Sequence, residues 1–438
     1  MIAENILDSY NSFSNFSKKS GISRGALSLI FKKPKPKPIS FDQLVKITTT
    51  LGYPEEHFFN LYIETYFVEG SFNRSRIESL LDRCGELELM QHLEKALRLL
   101  ESTPYYIPII FEVAERLHET NKKNAALFIY NWITAHTSEI SQEMLSICHY
   151  RIFRCGLLLD SDNNLQLLYR LLPFKLNLPP HLKLETLLNA TDILHHQQRY
   201  EDQDILAEEL ISLCVELFGT EQNANHKSIA LYKDILERHP VVYYGRGYLL
   251  KYAYLESTQQ YEKAQEYVKA YGSLYWFDDD TEIAKAEIEK FAIFAKANVW
   301  NLELLQGNTS VLPEYSAFLD DHPLEILPSF ISVLTAANDL GFLIDEFLDK
   351  FETRLTEGLA DPHNYYSEST KRNNHSYALY HLAIYYFNIG QVEKSLSAAI
   401  ECWRMSSVVN NEQHVKLLAS LTLLYNTCSL ENTHAERE

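Results

Sequence analysis

Glycine and proline are scarce in this 438-residue chain, at fourteen each. That excludes collagen-like and low-complexity architectures and leaves few breaks in regular segments. Alternating apolar and polar runs closed by Asn-Gly or Asp-Gly are absent, which argues against hairpin-rich β folds. No apolar run approaches the roughly 18 to 20 residues that span a bilayer. The opening residues MIAENILDSY have no basic segment followed by an apolar core, so a secretory leader is not expected. The six cysteines (Cys84, Cys148, Cys155, Cys214, Cys402, Cys428) are dispersed and form no CxxC pair. Reduced thiols in a cytoplasmic protein are therefore the expectation.

Catalytic signatures are missing as well. No P-loop pattern occurs, and "YYGRGYLL" lacks the third glycine of a dinucleotide fingerprint and follows no strand. His195 and His196 are adjacent, so on a helix they point about 100° apart, and no HExxH or cysteine cluster supports a metal reading. No nucleophile or acid–base constellation stands out. Neither an enzyme nor a cofactor is expected.

What is present favours helices. Hydrophobic residues make up 46% of the chain, ample for a packed core, and leucine, alanine, glutamate and lysine dominate long stretches. The length exceeds one ordinary domain, so two units or one extended array are expected. The net charge of −19 is unevenly placed. Residues 1–70 hold eight Lys/Arg against seven Asp/Glu, and the remaining 32 basic residues face 52 acids. Eight bases fall between Ser17 and Lys46 (Lys18, Lys19, Arg24, Lys32, Lys33, Lys35, Lys37, Lys46), with Asp42 the one acid among them. A small basic patch on a large acidic body points to a polyanionic partner for the patch alone.

That patch coincides with "SGISRGALSLIF", residues 20–31. Phe16 and Ser17 belong to one helix, and Gly21 suits the positive φ of a tight helix–helix turn. Ile22 is the apolar turn residue, and Ser23 is a good N-cap for a second helix. Leu27 and Ile30 then face back onto the first helix, with small Ser17 and Ser20 at the crossing. This spacing is a helix–turn–helix pattern. In it the second helix reads DNA. Ser23, Arg24, Gly25, Ser28 and Leu29 would face base edges, with Arg24 suited to the two acceptors of guanine. Lys18, Lys19, Lys32 and Lys33 would meet phosphates. Pro34, Pro36 and Pro38 end the helix and keep the next loop extended, so that Lys35 and Lys37 continue the phosphate strip. A following helix over "SFDQLVKITTTLGYP", with Leu44, Ile47 and Leu51 on one face, completes an order that resembles XRE/Cro-like helix–turn–helix domains. The expected DNA-binding domain covers residues 1–65.

Residues 70–430 read as helices joined by short turns. "YALYHLAIYYFNIGQVEKSLSAAIECW" is the clearest unit: Leu382 and Ala383 precede Tyr386, Gly390 turns the chain, and small Ser395 sits where the partner helix crosses. "YLLKYAYLESTQQYEKAQEYVKAYGSL" repeats the grammar with Tyr261, Ala264 and Tyr267, and Tyr200 and the Ala114, Ala125, Ala126 set mark two more pairs. Such units resemble degenerate tetratricopeptide repeats, which stack into an α-solenoid with a concave face. Pro179, Pro180, Pro240, Pro313, Pro323 and Pro328 separate helices. "AIFAKANVWNLELLQGN" and "ISVLTAANDLGFLIDEFL" read as two more long helices. The fold class expected is all-α: an N-terminal helix–turn–helix domain followed by a tetratricopeptide-like α-solenoid.

A helix–turn–helix ahead of tetratricopeptide-like repeats resembles the RRNPP regulators of Gram-positive bacteria and their phages, which include the arbitrium receptors of lysis–lysogeny decisions. The resemblance implies a cytoplasmic homodimer, double-stranded DNA as one partner and a short signalling peptide in the solenoid as the other. It also implies asparagines that grip the peptide backbone, since each amide offers donor and acceptor. Asn189, Asn298, Asn301 and Asn338 are the candidates here, with Asn131 and Asn388 beside them, and Tyr248 and Tyr252 add amphipathic rings. The acidic body suits a peptide carrying positive charge. "EQHVKLLASLTLLYNTCSL", with Val415, Leu418, Leu421, Leu424 and Tyr425, is a cap or a dimer helix. The competing reading is a protein-interaction scaffold whose N-terminal helices are purely structural.

Overall fold

The computed structural model describes residues 2–32, 36–67, 73–101, 106–136, 140–158, 162–197, 199–355 and 365–409, with 419. Among them lie twenty-two α-helices and a few 3-10 turns, and no strand. The chain is all-α. Lys33, Pro34, Lys35 and the apolar set from Val415 to Tyr425 lie outside the described residues.

The chain divides into two compact units, Met1–Gly156 with Tyr169–Leu178, and Leu157–Leu168 with Pro179–Glu438. The first contains α1 (Ile2–Tyr10), α2 (Phe13–Ser20), α3 (Arg24–Ile30), α4 (Phe41–Thr50), α5 (Phe59–Tyr66), α6 (Arg74–Glu86), α7 (Met90–Leu100), α8 (Ile107–Glu119), α9 (Lys123–Ala135) and α10 (Gln142–Gly156). α11 (Asp162–Leu171) straddles the division. The second contains α12 (Pro180–His196), α13 (Tyr200–Phe218), α14 (His226–Lys233), α15 (Pro240–Ser257), α16 (Tyr261–Gly272), α17 (Glu282–Leu305), α18 (Leu312–Asp321), α19 (Ile326–Leu340), α20 (Asp345–Phe351), α21 (Glu368–Asn388) and α22 (Val392–Val409).

Caps set the helix starts in the first unit. Ser12 Oγ accepts from the Asn15 amide at 3.2 Å, and Ser23 Oγ from the Ala26 amide at 3.2 Å. Ser40 and Gln43 form a reciprocal capping box. Gly21, at φ 69°, ends α2 as the turn demands. A small core of Ile6, Phe16, Ile22, Leu27 and Ile47 closes α1 to α4. Ile30 departs from expectation. It joins Ile39, Phe41, Leu44 and Phe59 in a larger core that runs on through Leu80, Leu97, Ile110 and Ile129. So α3 is gripped by both cores, one below each turn.

One local closure recurs along the chain. After a helix, a backbone N–H reaches back five residues to a carbonyl, as in a Schellman cap. Leu89 bonds Cys84 (2.8 Å) and Lys122 bonds Leu117 (2.8 Å) in the first unit. Arg199 bonds Leu194 (2.9 Å), Gln260 bonds Leu255 (2.8 Å), Asn308 bonds Glu303 (2.9 Å) and Gln391 bonds Tyr386 (2.8 Å) in the second. The left-handed residue of the turn is glycine at Gly307 and Gly390, but Glu88, Asn121 and Gln259 elsewhere. Such residues cost about 1 kcal/mol or more in that region, so the packed hairpin holds them there.

In the second unit the long helices pack in chain order: α12 on α13, α13 on α15, then α16, α17, α19, α21 and α22 in turn. That serial neighbour packing is the solenoid-like arrangement expected from the repeats. Ser395 Oγ donates to the Ala383 carbonyl at 2.8 Å across the α21–α22 crossing, where the sequence placed a small residue. The two glycines of "YYGRGYLL" have a packing role. A Cβ on Gly245 would lie 2.5 Å from the Phe291 ring, and one on Gly247 3.0 Å from Ile211. "ISVLTAANDLGFLIDEFL" is not one helix. Gly341, at φ 75°, ends α19, and α20 begins at Asp345.

Candidate nucleic-acid interface and polar interior

The first unit presents α3 with one face buried and one free. Leu27 and Ile30 point inward. Ser23, Arg24, Gly25, Ser28 and Leu29 are exposed, as are Lys18 and Lys19 at the end of α2 and Lys32 and Lys37 beyond α3. All the described members of the expected DNA-facing set therefore lie on the surface, while Lys33 and Lys35 lie outside the described residues. Lys18, Arg24, Lys32 and Lys37 take no ion-pair partner among the described residues. Lys19 Nζ sits 5.8 Å from the Tyr10 ring centroid. By contrast Arg74, Arg83, Lys95, Arg98 and Arg116, later in the same unit, are all paired with carboxylates.

The loop after α3 is fastened at two points. The Lys37 amide donates to the Leu29 carbonyl at 2.8 Å, folding the loop back onto the end of α3. The Ile39 amide donates to the Tyr66 hydroxyl at 3.1 Å, and the Tyr62 hydroxyl donates to the Ile39 carbonyl at 3.4 Å. Phe31 stacks on Phe13 with centroids 5.5 Å apart. Pro36, Lys37 and Pro38 stay exposed. The lysine is thus held close to the outer face of α3 rather than on a free tether.

In the second unit the expected peptide-binding residues have hydrogen-bond partners within the chain, except for the buried Tyr252 hydroxyl, which has none among the described residues. Asn298 Nδ2 donates to the Tyr271 hydroxyl (2.7 Å), Asn301 Nδ2 to Asn298 Oδ1 (3.1 Å), and the Tyr315 hydroxyl to Asn301 Oδ1 (2.8 Å). This relay joins α16, α17 and α18. Asn338 Nδ2 donates to the His381 carbonyl (2.9 Å) and accepts from Asn388 (3.4 Å), joining α19 to α21. Asn189 bonds the Glu185 carbonyl one turn back in its own helix at 2.6 Å, and Asn131, which lies in α9 of the first unit, does the same with Leu127 at 2.8 Å. Tyr248 is half-buried and accepts from the Tyr244 hydroxyl at 3.4 Å. Tyr252 is buried beside Glu256, whose carboxyl burial pushes up to about 7.

A convergence the sequence reading missed lies where the chain enters α21. The Tyr366 hydroxyl donates to both oxygens of Glu325, each at 3.0 Å, and its ring stacks on Phe294 of α17 at 5.7 Å. Lys290 Nζ stands 4.8 Å from the Tyr365 ring. Thr370 Oγ1 meets His196 Nε2 of α12 at 3.5 Å. Nearby, Arg246 of α15 pairs with Asp192 of α12. Through the Thr370–His196 contact, α21 therefore meets α12 from the other end of the second unit. Glu325 is only 3% exposed, and burial pushes its carboxyl up to about 7. Burial, helped by the charges of His196 and Arg246, pulls His195 down to about 4. The one sequence signal was an acid inside the apolar run "PLEILP".

Four of the described cysteines are sequestered in the interior. Cys84, Cys148, Cys214 and Cys402 are buried, and burial pushes the Cys84 and Cys148 thiols up to about 12. Among the described residues, no helix is long and apolar enough to cross a membrane. Family models and curated proteins were both compared with the chain, and none matches it.

Proposed function

We propose that this chain is a sequence-specific DNA-binding transcriptional regulator of the RRNPP type, whose hold on DNA is set by a short signalling peptide bound in the second unit. The observation that carries it is α3. Its inner face is locked by two cores, while Arg24 on its outer face and the nearby Lys18, Lys32 and Lys37 are exposed and take no ion-pair partner among the described residues. Exposed cations without carboxylate partners on an acidic protein suit phosphates and base edges. Two copies would present two recognition helices to a two-fold site.

The peptide belongs in the polar interior of the second unit, where α12, α15, α17, α19 and α21 bring hydroxyls, amides and carboxyls together. A peptide that favours one arrangement of these helices shifts the population of that arrangement. Genome-fragment pull-down with footprinting on the enriched fragment tests the DNA claim. Steep loss of binding with added salt is expected, and salt-insensitive or absent binding would refute it. Calorimetric titration with short peptides of opposite charge tests the ligand claim, with basic peptides expected to bind the tighter.

One observation favours the scaffold reading. Val392, Leu396, Ile400 and Trp403, the last 58% exposed, form an apolar stripe along α22. Such a stripe suits a protein partner or the second copy of a homodimer. Sedimentation of the chain alone separates these, since a homodimer forms without any other protein.

A further inference from the structure

The larger core of the first unit does not stop where α5 ends. Its buried side chains run from Ile30 on α3 and Phe41 on α4, through Phe59 on α5, to Leu80 on α6, Leu97 on α7 and Cys148 on α10. α4 packs on α6, and α5 on α7. The core that belongs to α1–α4 alone is far smaller. A chain segment of that length with so little core of its own seldom stands by itself.

Polar bonds span the same boundary. The Arg83 guanidinium of α6 grips the Glu55 carboxylate with two bonds, Nε to Oε1 at 2.6 Å and Nη2 to Oε2 at 2.8 Å. Such a forked pair fixes orientation as well as distance. Lys95 Nζ of α7 reaches Glu64 Oε1 of α5 at 2.6 Å. The Arg76 guanidinium lies 5.0 Å from the Tyr66 ring centroid, and the Tyr66 hydroxyl accepts from the Ile39 amide in the loop that follows α3. Contacts therefore lead from α6 to that loop. Domains swing when the surface between them is small and polar. This surface is apolar, enclosed and pinned at its edge.

We propose that α1 to α10 form one rigid reading head, in which α6 and α7 set the orientation of α3, with Glu55 and Arg83 as a positioning pair. The helix–turn–helix is then no module of its own on a tether. The chain passes between the two units at residues 156–157, 168–169 and 178–179, all at or beyond the end of α10. Along the covalent chain, a change in the second unit enters the head beside α10. It turns α3 only by turning the head as a whole, because a close-packed interior transmits displacement. The orienting role rests on the DNA-binding reading above, whereas the docking of α4 and α5 on α6 and α7 does not.

The test uses the full chain with the recognition sequence of a site-specific protease inserted between residues 67 and 73. Cut after folding, the two pieces should co-elute from a sizing column. The cut chain should hold a duplex selected from random DNA as tightly as the uncut one, with the same salt dependence. Arg83→Glu sets two carboxylates against each other and should weaken the association of the pieces about tenfold or more, the worth of a charged hydrogen bond. The swapped pair, Glu55→Arg with Arg83→Glu, should restore it, which a misfolded variant would not allow. In the uncut chain the same reversal should relax the demand on half-site spacing, so that a duplex with one base pair inserted between half-sites, rejected by the wild type, is accepted. Lost stability alone would not change that preference. Pieces that separate on cutting overturn the rigid head, whether or not the uncut chain binds DNA. So does a cut chain that stays together but loses the duplex. An association indifferent to Arg83→Glu overturns the positioning pair. If the uncut chain binds no duplex, the DNA-binding reading fails and the orienting role with it, while co-elution of the pieces would still show the docking.

Discussion

The first four helices and the interior of the second unit handle polar groups in opposite ways. Around α3 the described basic side chains are exposed and take no carboxylate partner among the described residues, and the side-chain bonds there serve the caps and turn. In the second unit a set of polar side chains is threaded into relays, such as Tyr271–Asn298–Asn301–Tyr315 and Tyr366–Glu325. A free cation adds little to stability and is available to a partner. A buried, bonded amide fixes helix positions, and its loss is felt throughout the packed array. The first arrangement suits a surface that recognises, the second an interior whose helix positions can be biased.

Substitutions that exchange the two behaviours sharpen the contrast. Leu27→Ala should have the largest effect, since it hollows the small core under α3. About 2–5 kcal/mol of stability should be lost on chemical denaturation, and DNA binding with it. Asn301→Ala should cost about 1–3 kcal/mol in the same measurement, because the buried Tyr315 hydroxyl loses its acceptor. Arg24→Ala should leave stability within about 0.5 kcal/mol while removing about 1–3 kcal/mol of discrimination between selected and scrambled duplexes. If Arg24→Ala instead unfolded the protein, the division drawn here would fail.

Glu325 tests the interior through pH. Its carboxyl is raised from 4.5 to about 7 by burial, with the Tyr365 and Tyr366 hydroxyls and Lys290 working the other way. A carboxyl raised on folding favours the folded state at low pH. That contribution is complete below about pH 4.5 and is lost as pH rises through about 7. Glu325→Gln should therefore raise the melting temperature at pH 8 and leave it nearly unchanged at pH 5. Equal effects at both values would mean that the carboxyl is already ionised in the folded chain.

The helix–turn–helix geometry was legible because each decisive position has a local reason. Gly21 needs its positive φ, Ser23 its cap and Leu27 its burial, and all three are read from neighbours in sequence. Ile30 was assigned to the wrong core because periodicity gives a direction, not a partner. Among the repeat turns, glycine announces the left-handed residue only at Gly307 and Gly390. Glu88, Asn121 and Gln259 adopt the same left-handed conformation without the residue that announces it. The asparagines of α17 and α19 were visible as residues, but their bonding partners lie up to fifty positions away. Tyr366 had no signal at all, since its partners Glu325 and Phe294 belong to other helices. Local chemistry is written in the sequence, whereas convergence across a helical array is set by packing.

The bond from the Lys37 amide to the Leu29 carbonyl has one more consequence. Lys37 lies in an exposed loop between two prolines, where an amide proton would ordinarily trade with solvent almost at once. Tied to the last turn of α3, that proton should exchange only when the turn itself opens. Its deuterium uptake is then a clock for α3, readable at a single peptide without labelling the helix, and under the proposed function it should slow when DNA is added.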